Sequence, residues 1–133
     1  MSQVNILVAV NVAQAIATGE LGNYVYMMDD SLTGQSAGEG GDELSTVCEN
    51  GDKIVWRVDS IDPDQHVSID HFEGDIKTTG MINPAPYPQT DSDTWGGKIN
   101  CAGNKVEYRM YLKLNNKIVQ GFDPFITATN AQR

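Results

Sequence analysis

Apolar side chains recur at every second position through several stretches of the chain. Val4, Ile6, Val8, Val10 and Val12 alternate with Asn5, Leu7, Ala9 and Asn11, which predicts a strand whose second face is only partly polar. Ala13 to Thr18 fits a helical turn, closed off by Gly19 and Gly22 and too short to organise a helical domain. Tyr24 to Met28 reads as a short strand, and the polar, glycine-rich segment Asp29 to Glu43 as a long connection before another short strand at Leu44 to Val47. The turn signal Glu49-Asn50-Gly51-Asp52 leads into KIVWRVDSI, the clearest half-buried strand, with Ile54, Trp56 and Val58 on one face and Lys53, Val55, Arg57 and Asp59 on the other.

The alternation resumes from Gln65 to Phe72. Val67, Ile69 and His71 share one parity there and His66, Ser68, Asp70 and Phe72 the other, so a regular strand sends the two histidines to opposite faces. Thr78 to Gly97, rich in proline, glycine and small polar residues, reads as irregular connection. Lys105 to Leu114 is a long strand with Val106, Tyr108, Met110 and Leu112 facing one way. Asn115-Asn116 turns the chain into Lys117 to Val119, and Phe125 to Ala128 forms the last strand. Many short strands and no long helix predict an all-β fold, a compact antiparallel β-sandwich with a jelly roll as one form of it. With 133 residues, no internal repeat and no composition break, positions 1–133 read as a single domain.

Charge narrows the list of partners. Eighteen acidic residues against nine Lys and Arg give a formal charge of -9, and a pI near 4.4. Such a field repels phosphate backbones and anionic lipid, so nucleic-acid binding is disfavoured. The apolar run from Ile6 to Ala17 lacks a basic lead and is broken by Asn11 and Gln14, unlike a signal peptide, and no run is long enough for membrane insertion. A cytoplasmic protein is the expectation. Cys48 and Cys101 have no CxxC spacing; they could pair if the fold brought them together, and in a reducing compartment they stay thiols.

Three kinds of chemistry compete for the acidic segments. Asp62, Asp64, His66 and Glu73 fall near positions 1, 3, 5 and 12 of a calcium loop, yet Val67 replaces the required glycine and no helices flank the segment. Calcium at Asp62 and Asp64, or at Asp91 and Asp93, stands against solvated turns in which these carboxylates bind local backbone. A hydrolase reading has Ser68 and Asp70 beside His66 and His71, but no GxSxG elbow and no HExxH. A carbohydrate site would use Tyr87, Asp91, Asp93 and Trp95, with carboxylates gripping hydroxyls and the indole stacking on a sugar ring. The alternative is that Trp95 caps the open end of the sandwich.

The blocks ENGDKIVWRVDSIDPDQHVSIDHF, VEYRMYLKL and GFDPFITA carry a further pattern. Gly51, Asp52, Ile54, Trp56, Arg57, Ser60, His66, Val67 and Phe72, then Tyr108, Gly121, Phe122, Asp123 and Pro124, resemble the AidA/PixA family of small bacterial proteins, which includes inclusion body proteins. NILVAVNV looks like the opening of that family, while DSDTWGGKIN departs from it. The resemblance implies a β-sandwich, an acidic cytoplasmic protein and self-assembly into inclusions, with lectin-like sugar binding as the alternative; the residues themselves, which hold a fold rather than define a reaction, add the expectation of no enzymatic activity and no cofactor beyond the calcium weighed above. Trp56, Arg57, His66, Asp123 and Pro124 are its structural signature, with Trp56 filling the core, Arg57 pairing with an acidic neighbour such as Asp59, and Asp123 fixing the last turn.

Overall fold

The computed structural model describes residues 3–31, 36–38, 40–88 and 93–130. Strand β1 (Gln3–Val10) buries Val4, Ile6, Val8 and Val10 and turns its other residues outward. Helix α1 (Val12–Thr18) follows, its Gln14 amide held by the Asn11 side chain at 3.3 Å, and it ends at Gly19 in the left-handed region. Strands β2 (Val25–Asp29), β3 (Ser45–Glu49), β4 (Lys53–Ser60) and β5 (Val67–Gly74) come next, then a single turn of helix, α2 (Asp75–Thr78). The chain closes with β6 (Ala85–Pro86), β7 (Thr94–Lys98), β8 (Gly103–Leu114), β9 (Ile118–Phe122) and β10 (Phe125–Thr129).

Two sheets face each other across one core. The first has the order β2-β1-β4-β7-β6 and the second β3-β10-β8-β5, with β9 beside the far half of β8. All-β architecture and the sandwich arrangement follow the sequence pattern. Strand direction does not follow it throughout, because β1 runs parallel to β4 and β10 parallel to β3. Both sheets are mixed. Alternation records which face a residue occupies and says nothing about the direction of the neighbouring strand, which is set by the long connections between the paired segments.

Trp56 is the plug between the layers. It is fully buried on β4, its ring 4.6 Å from Phe72 of β5 and 5.7 Å from Tyr108 of β8, and its Nε1 donates to the Tyr108 hydroxyl at 3.1 Å. Three aromatic rings thereby tie the first sheet to the second while satisfying the two polar atoms they bury. Burial pushes the Tyr108 hydroxyl upward, against the opposing pull of the bond from Trp56.

Two local expectations are corrected. The stretch 94–98, expected as part of an irregular connection, is a strand paired with β4, Trp95 opposite Trp56 and Gly97 opposite Ile54. Its glycines do not mark a turn. A Cβ at Gly97 would lie 2.5 Å from Ile82 Cγ2, and one at Gly96 2.7 Å from the Tyr87 ring, so both faces of this strand are already occupied. In β5 the period of two breaks at Asp70, the extra residue of a bulge between Ile69 and His71. Ile69 and Phe72 both reach the core as a result, and His71 is turned out with Asp70.

Candidate functional site

The pairing of β7 fixes where the sugar-site candidates stand. Trp95 lies opposite Trp56 and points inward, its ring 5.5 Å from Phe72, whereas Tyr87 covers Gly96 on the outer face with Lys53 Nζ 5.0 Å from its ring centre. Adjacent residues of a strand face opposite sides of the sheet, so Tyr87 and Trp95 do not share a site. Asp91 lies outside the described residues.

Where β7 approaches β5, Trp95 lines an open hollow of about 530 Å³ with His66, Ser68, Asp70, Lys113 and Asn116. Trp95 Nε1 is buried and has no hydrogen-bond partner among the described residues. Asp70 is held from two sides, by His71 Nδ1 at 2.6 Å and by Lys113 Nζ at 3.8 Å. A second, smaller hollow of about 290 Å³ adjoins it through His66, and there Asp59, Asp62 and Asp93 come together. Of the predicted carbohydrate set Trp95 lines the first hollow and Asp93 the second, and the first adds Asp70, weighed from sequence only for a hydrolase, with Lys113 and Asn116, which the sequence pattern did not mark.

The acidic turn is built largely from its own hydrogen bonds. Asp62 Oδ1 accepts from the Asp64 amide at 3.0 Å, the Asp62 amide donates to Ser60 Oγ at 3.2 Å, and Ser60 Oγ donates to the Asp62 carbonyl at 2.8 Å. Among the described residues no group of three or more His, Cys, Asp or Glu side chains is placed to hold a metal ion. His71 does not extend its bond with Asp70 into a relay, because its Nε2 faces Glu73 at 3.5 Å and its ring stacks on Tyr111 at 4.3 Å. Both ring nitrogens meet carboxylates, and a relay needs a nucleophile at one of them.

The remaining signature residues take structural positions. His66 and Asn115 exchange bonds, the His66 amide donating to Asn115 Oδ1 and the Asn115 amide to the His66 carbonyl, each at 2.8 Å. The buried Pro124 accepts at its carbonyl from the Tyr108 amide at 3.0 Å, and Asp123 pairs with Arg109 Nε at 2.9 Å. Arg57 differs from expectation. Its neighbours in register are Leu7 and Thr94, neither charged, and it makes no ion pair with Asp59 or with any other described residue. Cys48 and Cys101 are both free thiols. Burial first, and then the carboxylates of Asp52, Asp29 and Glu49, push the Cys48 thiol up to about 12.

Residues 2–120 match the family described as a domain of unknown function, DUF8788. The chain belongs to that family. Among solved structures, this DUF8788 member shares its fold with an inclusion body protein (PixA) from Burkholderia cenocepacia J2315, with a TM-score of 0.70 over 98% of this chain and 95% of that one, at 16% identity. The sequence resemblance to the AidA/PixA proteins thus extends to the whole architecture. No curated protein matches. No helix among the described residues is long and apolar enough to cross a membrane.

Proposed function

We propose that this DUF8788 protein is a non-enzymatic inclusion-type protein of the cytoplasm, whose copies associate with one another into a dense store or scaffold. The observation that carries this reading is the end-to-end likeness of fold to an inclusion body protein, with few residues of either chain left over. Charge supports it. A chain at -9 repels its own copies at neutral pH and loses that repulsion as the solution approaches its pI near 4.4, so assembly is open to control by acidity. Sedimentation of the purified protein over a wide concentration range, from neutral to mildly acidic pH, tests the reading together with imaging of cells that express it. Oligomers and intracellular bodies are expected; a monomer under every condition, with diffuse distribution in cells, overturns it.

A second reading, carbohydrate binding, is favoured by the hollow that Trp95 lines with Asp70, His66 and Lys113, adjoined through His66 by the one that Asp93 lines. An apolar ring beside several hydrogen-bonding groups is the composition of a sugar subsite, and an assembled lectin gains avidity from weak single sites. A glycan array with and without calcium tests it. A selective hit lost in Asp93→Asn supports this reading, and silence from folded oligomer removes it for the glycans displayed. Calcium dependence of a hit would assign Asp62, Asp64, Asp91 and Asp93 a metal role, and binding unchanged by chelation would assign direct contacts to hydroxyls.

A further inference from the structure

The outer face of the first sheet carries a row of side chains that the fold leaves unused. In register across it stand Met28, Leu7, Arg57 and Thr94, and beside them Tyr26, Ala9 and Asp59. Leu7 is 38% exposed, Tyr26 40% and Met28 46%, together with a shallow hollow of about 530 Å³ that Leu7, Met28, Val55 and Arg57 help to line. An apolar patch of this kind on a sheet face marks an interaction site when its rim is polar. Here the rim is specific, because neither Arg57 nor Asp59 has an ion-pair partner among the described residues.

We propose that this face is the surface through which two copies of the chain associate, the Leu7, Tyr26 and Met28 patches meeting about a two-fold axis and Arg57 of each copy pairing with Asp59 of the other. The inference rests on the self-association reading above and gives it a location. Self-complementarity selects the occupant. A two-fold contact places residue i against j and j against i, so one basic and one acidic residue on the same strand, two positions apart, satisfy each other twice. Asp29 and Asp30 also line this hollow, each held by hydrogen bonds from its own fold, Asp30 from Asn5 and Asp29 from Ser31 and Thr46, so Arg57 is the cation of the patch and its pairing with Asp59 of the other copy offsets part of the acidic charge there.

Several routes through strand edges are obstructed. The backbone of Met27 on β2 is engaged by Gly40 and Gly41, at 2.7 Å and 3.2 Å. On β3, Ser45 is bridged to Ala37, and the edge strand β6 contains Pro86, which has no amide to donate. Addition of a second chain to these three edges is thereby hindered.

Sedimentation equilibrium of the full chain tests the assignment with the variants Leu7→Lys, Arg57→Glu, Asp59→Arg and the double exchange Arg57→Glu/Asp59→Arg, each checked by circular dichroism. Each single charge reversal is expected to weaken association about tenfold or more, and the double exchange to restore it to within about threefold of the wild type. Mixing the two single reversals is expected to give a hetero-pair, since the introduced glutamate of one variant then meets the introduced arginine of the other, while the unaltered Arg57 and Asp59 still face each other. Leu7→Lys replaces an exposed side chain, so it is expected to abolish association without unfolding the protein. A wild-type oligomer untouched by every variant overturns this surface and leaves self-association standing; a wild type that stays monomeric overturns both.

Discussion

The two outer faces of the sandwich differ in how their charges are spent. On the second sheet, Lys113 meets Asp70, His71 lies between Asp70 and Glu73 and stacks on Tyr111, and Arg109 bridges to Asp123 with its guanidinium 5.7 Å from the Tyr111 ring. The charges of that face are paired within it, and its exposed apolar side chain is Val119 of β9, opposite Lys113. The bond to Tyr111, followed by the charge of Asp123, raises the Arg109 guanidinium further above its ordinary value. On the first sheet, Leu7, Tyr26 and Met28 are open, and Arg57 and Asp59 lie on one strand without an ion-pair partner among the described residues. A satisfied face resists new contacts because each would displace an existing one, whereas an unsatisfied one gains by them.

Both faces hang on one core, so the largest effect comes from removing what joins the sheets. Trp56→Ala deletes the fully buried ring and leaves the Tyr108 hydroxyl without its donor; a loss of about 3–5 kcal/mol is expected in denaturant unfolding, with both faces lost together. Next in size is the contrast between faces. Met28→Lys is expected to weaken association about tenfold or more while changing stability by less than about 0.5 kcal/mol, as read by sedimentation and thermal unfolding of the same sample. The counterpart on the second face, Arg109→Ala, removes an exposed ion pair and is expected to cost about 0.2–1 kcal/mol without changing association. Equal effects of these two substitutions on association would erase the distinction between the faces.

The last effect is absent at neutral pH and concerns a thiol of the core. Cys48 in the folded protein is held at about 12, above its ordinary 9.0, so the stability tied to its neutral thiol is complete below pH 9 and is lost as the pH rises through 12. Unfolding midpoints in denaturant are expected to fall across that window, less steeply in Cys48→Ala. The remaining slope belongs in part to Tyr108, which is shifted in the same direction.

Much of this contrast was written in the chain. The alternation of Val4, Ile6, Val8 and Val10 fixed the inner face of β1, and Leu7 and Ala9 between them already gave its second face an apolar character without saying what would cover it. Trp56 was legible as core for the same reason. Strand β7 was not, because TWGGK spends two of its five positions on glycine, and the cause, the close approach of Tyr87 and Ile82, lies in distant sequence. The seam near Trp95 was half legible: Asp93 and Trp95 were visible as types and alternation put Asp70 on the side of His66 and Ser68, but Lys113 enters from β8 through its pairing with Ser68, which local pattern does not encode. The absence of an ion-pair partner for Arg57 among the described residues was hidden too, since it follows from which strands flank β4.

Met28 offers the most direct test of the central claim. It is 46% exposed on the open face, whereas Met27, Met81 and Met110 are buried. Oxidation of the native protein by peroxide, followed residue by residue in dilute and in concentrated solution, reads whether that face becomes covered. Met28 is expected to oxidise readily when the protein is dilute and to be protected at concentrations where it sediments as an oligomer. Equal oxidation of Met28 in monomer and oligomer would contradict it.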